Sequence, residues 1–149
     1  MQLTDEQLDR YARHIVLRDI GGSGQSRLLQ SHVLLIGAGG IGCPAIQYLA
    51  AAGVGTISAV DDDVISLSNL QRQVLYSEAE IGQPKVDAAA KAVRRLNPDI
   101  TFHAIKERIT THTSAEILEG VDVVIDGRDN FATRLIVNDL CLAARVPLV

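Results

Sequence analysis

The rhythm of apolar and polar positions divides the chain into a helical N-terminal stretch and a longer segment that alternates strands with helices. Thr4-Asp5-Glu6-Gln7 has the form of a capping box, with Thr4 capping the backbone and Gln7 reaching back. The helix it opens puts Leu8, Tyr11 and Ile15 on one stripe and Arg10, Arg13 and Arg18 among the polar positions. Gly21-Gly22-Ser23-Gly24 follows as a flexible connection, the expected hinge of the chain. The apolar run at 33–36, ended by glycines, suits a strand covered on both faces. Residues 44–52 read as a short apolar helix stopped by Gly53, and 56–60 as a strand running into Asp61-Asp62-Asp63. The mixed stretch 64–82 has no sustained period, and a loop of that length is usually functional or contains short helical turns. Pro84 then opens a helix at its first turn, with Val86, Ala89, Ala90, Val93 and Leu96 toward the core, and Asn97-Pro98 ends it. Strands at 100–105 and 121–126, a short helix at 114–118 ended by Gly120 and a helix at 131–144 continue the alternation. Pro147-Leu148-Val149 begins a fifth strand.

This order predicts an α/β fold: a Rossmann-like, doubly wound, mainly parallel sheet with right-handed crossovers. An N-terminal helical segment over residues 1–30 precedes the sheet domain at 31–149. Because a core strand has only begun at Val149, that domain is expected to be incomplete at its C-terminus.

Gly37-Ala38-Gly39-Gly40-Ile41-Gly42 fits G-x-G-x-x-G with one extra glycine. Glycines let a backbone turn tightly and bring its N–H groups up to phosphate oxygens, and the helix that follows adds about half a positive charge. Asp61 ends the second strand 19 residues after Gly42, where a carboxylate can accept hydrogen bonds from ribose hydroxyls. A closely packed βα turn would use the same glycines, but strand, helix and acid in this order favour nucleotide binding. The dense polar run Ser68-Asn69-Leu70-Gln71-Arg72-Gln73 comes next, with Lys85 at the following helix start. A dinucleotide's pyrophosphate needs little beyond backbone amides, whereas a triphosphate with a leaving pyrophosphate calls for fixed cations such as Arg72 and Lys85. Taken alone, Lys85 reads as a solvated surface cation. Asp126-Gly127-Arg128-Asp129-Asn130 closes the fourth strand, so three strands deliver the glycine turn, Asp61 and Asp129 to the sheet edge where ligands gather. Asp129 suits a magnesium ion and equally the N-cap of the last helix. His14, His32, His103 and His112 fall in no pocket-forming motif and read as surface or satisfied histidines. Cys43 lies inside the glycine-turn helix, where a thiol pKa can fall, although packing is the plainer role; Cys141 reads as core.

Composition narrows the partners. A net charge of −4 and 3% aromatic residues with no Trp argue against nucleic acid. The polar, acidic N-terminus is no signal peptide, and no apolar run is long enough for a bilayer. Two cysteines without metal spacing fit a reducing compartment, so the expected location is the cytoplasm.

Arg10-Tyr11-x-Arg13-His14-Ile15, Gly37-x-Gly39-Gly40-x-Gly42, the run from Ser68 to Gln73, Gly82-Gln83-Pro84-Lys85 and Asp129-Asn130 together resemble the ThiF/MoeB/HesA family. These are the bacterial relatives of ubiquitin-activating enzymes, and the resemblance runs in order over all 149 residues. It implies an adenylyltransferase that uses ATP and Mg2+ to adenylate the C-terminal glycine of a ubiquitin-like sulfur-carrier protein ending in Gly-Gly. Pyrophosphate would be released, in sulfur transfer of the thiamin or molybdopterin type. Carried over by position, Gly37, Gly39, Gly40 and Gly42 with Asp61 would hold the nucleotide's phosphate side and ribose. Ser68, Asn69, Gln71, Arg72, Lys85 and Asn130 would complete its binding, and Asp129 would hold magnesium. Arg13 resembles an arginine that reaches across a homodimer interface into the neighbouring ATP site; residues 1–30 would then be a dimer arm. An arginine supplied in this way can be worth about 10³–10⁵ in phosphoryl-transfer rate. Arg13, Arg72, Lys85 and Asp129 are the implied catalytic set. Arg128 departs from the family, where Ser or Thr is usual, and stays unassigned. The family's paired C-x-x-C motifs would put a structural zinc beyond Val149. The alternatives are a nicotinamide-dependent oxidoreductase, a non-catalytic dimerising subunit of an activating enzyme, and a relative that adenylates a tRNA base.

Overall fold

The computed structural model describes residues 3–149. Four parallel strands lie in the order β3-β2-β1-β4, with β1 at His32–Ile36, β2 at Thr56–Val60, β3 at Thr101–Ile105 and β4 at Val123–Asp126. The chain winds outward from β1 through β2 to β3, then crosses back to place β4 on the other side of β1. Ile36 is in register with both Val60 and Asp126, so the carboxyl ends of β1, β2 and β4 are level. A crevice opens above such a reversal of strand order. The outer edge of β4 begins a further parallel pairing, through a bridge between Val124 and Leu148.

Both faces of the sheet are covered at its central strands β1 and β2, which is why β1 reads as a continuous apolar run, whereas β3 at the edge is largely exposed. On one face Leu35, Ile57 and Ala59 pack with Ile46 and Ala50 of α4 (Gly42–Ala52) and with Val86, Ala89 and Val93 of α5 (Lys85–Leu96). On the other, Leu34, Ile36, Val60 and Val124 meet Val137 and Cys141 of α6 (Phe131–Ala144) and Leu118. Each fully buried Leu, Ile or Val contributes about 1.5–3 kcal/mol. The stripe on α5 differs from the expected one: Ala88 and Ala92 are buried, while Leu96 is exposed and Ala90 half-buried. Packing against both β3 and α4 turns the helix toward its Ala88 side. The long stretch between β2 and α5 carries two 3₁₀ turns, Leu67–Asn69 and Glu78–Glu80, and the short helix before β4 is another, Ala115–Leu118.

The N-terminal stretch departs most from expectation. Its capping box is present, with Gln7 N–H donating to Thr4 Oγ1 and Thr4 N–H to Gln7 Oε1. The helix nevertheless breaks at Tyr11 into α1 (Asp5–Arg10) and α2 (Ala12–Ile15). Tyr11 alone of the expected stripe is buried; its hydroxyl accepts from Asn97 Nδ2 at 2.8 Å, and the same amide donates to the Ala50 carbonyl. The expected hinge at Gly21-Gly22-Ser23-Gly24 is instead the first turn of α3, Gly21–Leu28. Glycine's weak helix propensity is overridden by tertiary contacts. Buried Gln25 donates to the Ala52 carbonyl and bonds the His14 ring, both at 2.9 Å. Gly53, at φ +84°, ends α4 directly beneath, where a Cβ would come within 2.7 Å of both Tyr11 and Gln25. Among the described residues no helix is long and apolar enough to cross a membrane.

His32 sits at the amino end of β1, its ring Nε2 sharing a 2.8 Å hydrogen bond with Ser58 Oγ. Burial and the neighbouring His103 hold its pKa below 6.5, against the opposing pull of Gly120 and Asp122. The unfolded chain therefore binds a proton that the native state resists. His32's contribution is complete above about pH 6.5 and is lost as pH falls toward the native pKa. Urea midpoints at pH 7.5 and 5.5 should drop more for the wild type than for His32→Gln.

Candidate functional site

At the carboxyl edge of the sheet, over the β1/β4 reversal, lies a cleft of about 350 Å³. The turn from β1 into α4 forms its floor, through Gly37, Gly39, Gly40 and Ile41. One wall carries Asp61, Asp63, Asn69, Arg72, Gln73 and Lys85; the other carries Gly127, Arg128, Asp129 and Arg134.

The glycines divide into two kinds. Gly37 has φ +96°, and a Cβ on Gly42 would stand 2.0 Å from the Gly37 carbonyl oxygen, so these two make the turn possible. Gly127 is tight in a milder way, since a Cβ there would stand 3.2 Å from the Gly42 amide nitrogen. Gly39 and Gly40 are under no such constraint: a Cβ on either would make ordinary contact with Gln73 Nε2 or the Arg72 side chain, at 3.6 Å. The fold does not need glycine there, and a bare backbone is what a ligand lying on the turn would require.

Asp61 is buried, and its oxygens are taken by the backbone. Ala38 N–H donates to Oδ2 at 2.7 Å and Asp63 N–H to Oδ1 at 2.8 Å. Lys85 is buried too, not a solvated surface cation, and its Nζ donates to Asp63 Oδ2 at 3.0 Å. Asp62 accepts from Arg108 Nε at 2.8 Å and Arg128 Nη2 at 3.1 Å. Burial alone would raise the Asp62 pKa; those two guanidinium groups outweigh it and hold the carboxyl below its ordinary value. Arg128 lies over Gly37, with Nη2 also 3.8 Å from Asp61. Asp61, Asp62 and Asp63 are close enough to share a cation. Each is already engaged, by backbone amides, arginines and a lysine respectively. Asp129 is different: among the described residues no hydrogen bond or ion pair engages its side chain, and it is exposed in the cleft wall. As a hard oxygen donor without a partner, it fits a magnesium ion bound together with phosphate oxygens. Arg72 likewise has no acidic partner among the described residues, its Nη1 donating only to the Ser68 carbonyl at 3.1 Å.

The cleft thus gathers Gly37, Gly39, Gly40, Asp61, Asn69, Arg72, Lys85 and Asp129 from the candidates read in the sequence. Others lie elsewhere. Gly42 is the first residue of α4, beneath the turn. Ser68 shares a hydrogen bond with Ser66 Oγ and supports Arg72 through its carbonyl, and Gln71 is exposed to solvent. Asn130, not Asp129, caps α6, its Oδ1 accepting from Ala132 and Thr133 N–H. Arg13 is exposed on α2 and does not line the cleft. The sequence reading missed Asp63, Gln73, Gly127 and Arg134 and left Arg128 open. Arg134, four residues past the cap Asn130, could have been placed by helical spacing. Cys43 does not have the lowered pKa that its place near a helix start allows. Burial pushes its thiol up to about 11, and the thiol donates to the Ala38 carbonyl, which also accepts from Tyr76.

A family model described as the ThiF family matches residues 11–149. The chain belongs to the ThiF family. The SAMP-activating enzyme E1 of Haloferax volcanii is 50% identical over 149 residues, covering all of this chain and 55% of that protein. The sulfur carrier protein adenylyltransferase of Thermus thermophilus is 45% identical over the same length, again 55% of that protein. Among solved ThiF-like folds, Escherichia coli MccB with AMPCPP and MccA matches with a TM-score of 0.79 at 30% identity, over 93% of this chain and 43% of that one. The chain spans about half the length of the curated relatives it matches.

Two outcomes test the cleft as built. Gly42→Ala should destabilise the ThiF fold by about 3 kcal/mol or more in urea unfolding, whereas Gly40→Ala should stay within about 1 kcal/mol of wild type. Alkylation at pH 8 should leave Cys43 unmodified in the native protein and label it promptly in urea, because the folded thiol is both buried and un-ionised.

Proposed function

We propose that this chain is the ATP-binding part of an adenylyltransferase that activates the C-terminal glycine of a ubiquitin-like sulfur-carrier protein. The observation that carries the reading is a pair of unengaged charges in one cleft: Arg72 without an acid and Asp129 without a cation, on either side of a glycine turn open at Gly39 and Gly40. The names of the relatives support it, since one is a sulfur carrier protein adenylyltransferase and another a SAMP-activating E1. So does the AMPCPP held by MccB. A nicotinamide dinucleotide would give Arg72 and Asp129 no task, and a degenerate non-catalytic half would not retain both.

The chemistry asks for positioning more than proton transfer. A C-terminal carboxylate is ionised at neutral pH, so no general base is required to make the nucleophile. One carboxylate oxygen attacks the α-phosphorus, the bond to the bridging oxygen breaks, and pyrophosphate leaves with that electron pair, giving the acyl-adenylate. Backbone amides of the turn and the start of α4 face the phosphates. Asn69, Arg72 and Lys85 steady the β- and γ-phosphates, with Lys85 exchanging Asp63 for phosphate oxygens. Asp61, fixed by Ala38 and Asp63, presents its remaining lone pairs to the ribose. Magnesium, held through Asp129, would draw charge from the phosphate oxygens. Arg13 would serve the cleft of a second copy in a homodimer.

Exchange of labelled pyrophosphate into ATP, measured on the protein that carries this chain, tests the reading. Exchange should depend on a carrier ending in Gly-Gly and on magnesium, and fall about 10²-fold or more in Arg72→Ala and in Asp129→Ala. Undiminished exchange in both variants would sink it.

A further inference from the structure

Among the described residues two buried side-chain atoms have no hydrogen-bond partner, Gln73 Oε1 and Arg128 Nε, and both belong to residues of the cleft wall. Gln73 is the sharper case. It is 2% exposed, and neither end of its carboxamide bonds to any described residue. Its backbone is fixed, with its N–H donating to the Asn69 carbonyl at 3.0 Å and its carbonyl accepting from Tyr76 N–H at 3.2 Å. Leaving a buried carbonyl oxygen unpartnered costs about 1–3 kcal/mol, a penalty that a structural side chain at this position would avoid. A leucine would fill similar space without that cost.

The surroundings say what the amide waits for. A Cβ on Gly39 would lie 3.6 Å from Gln73 Nε2, and one on Gly40 would lie 3.6 Å from Arg72 Cδ and Nε. The outer face of the turn is therefore an open slot, walled by a neutral amide beside Gly39 and by a guanidinium beside Gly40. The slot has room for an oxygen atom over the backbone and a hydrogen-bond donor on each side of the path.

We propose that Gln73 is a nucleotide-contacting residue whose carboxamide hydrogen-bonds the phosphate chain lying over Gly39 and Gly40. In the bound state the –NH₂ end gains an acceptor, and Oε1 faces no donor from the phosphate. The inference rests on the nucleotide reading above but not on adenylation. The –NH₂ end, which already faces Gly39, supplies what a phosphate oxygen accepts. Because the group is neutral, it contributes affinity that does not weaken with salt, whereas Arg72 contributes affinity that does.

Titration calorimetry with ATP, AMP and adenosine on the wild type, Gln73→Leu and Gly39→Ala tests this, together with the Tm of each protein. Gln73→Leu should keep or raise the Tm, weaken ATP and AMP by about 10-fold, leave adenosine within about 2-fold and leave the salt dependence of ATP binding unchanged. Gly39→Ala, which closes the slot against Gln73, should fold and lose ATP affinity to a similar degree. ATP binding within 2-fold of wild type in folded Gln73→Leu, an equal loss for adenosine, or a Tm several degrees lower would each overturn the proposal. A wild type that binds no ATP would overturn the nucleotide reading with it. A protein that binds ATP yet exchanges no pyrophosphate would lose the adenylation reading alone.

Discussion

Asp61 is a buried carboxylate, and a buried charge is tolerated only where hydrogen bonds and counter-charges replace its water. Here the Ala38 amide, inside the glycine turn, is one of those replacements, and the Asp63 amide is another. The bond to Ala38 ties the end of β2 to the turn that follows β1. The bond to Asp63 curls the chain after β2 so that Asp63 meets Lys85 at the start of α5. On the other flank Arg128 reaches over Gly37 toward both Asp61 and Asp62, and Arg108 joins from the segment after β3. One carboxylate thus fixes the positions of the loops after β1, β2 and β4. The openness of Gly39 and Gly40 follows from it, since the turn is held from its inner side and leaves its outer face bare.

The charges of the cleft sort themselves by the same logic. Three consecutive acids would make a strongly negative edge, hostile to phosphate. Each is instead matched to a group of opposite sign or to the backbone, and what remains unmatched is an arginine and an aspartate from opposite walls. The proposed site for a polyphosphate with a divalent cation would have that character: the built-in pairs keep the net field mild, and the unmatched pair would offer one position to anionic oxygen and one to metal.

The alternation of strands and helices was legible because the central strands are covered on both faces, and α6 falls at Phe131–Ala144 as its apolar pattern and flanking polar residues indicate. Legibility failed where tertiary contacts outweighed local propensity. No local rule announces that Gly21–Leu28 is helical, because its support comes from Gln25 bonding to a carbonyl 27 residues away. Nor does spacing reveal that Tyr11 would leave its helical stripe to meet Asn97, 86 residues on. In the cleft, motif residues with backbone or charge roles were readable in advance: the glycines, Asp61, Arg72, Lys85 and Asp129. Gln73 was not, since an amide inside a polar run carries no sign of its burial, and the capping competition between Asp129 and Asn130 turned on side-chain geometry one residue apart.

The docking of the N-terminal helices decides where Arg13 can act. Tyr11 and Gln25 pack on Gly53 and Ala52, at the C-terminal end of α4, while the glycine turn lies at its N-terminal end. An eleven-residue helix is about 16 Å long, more than a side chain can bridge. The arm is also held there by buried hydrogen bonds on both of its sides, from Asn97 to Tyr11 and from Gln25 to Ala52. Swinging Arg13 to the cleft of its own subunit would mean breaking both and exposing Tyr11. With the arm docked, Arg13 stays away from the cleft of its own chain. The segment that keeps Arg13 away from that cleft also holds it on an exposed surface, which is what the homodimer reading proposed above would need.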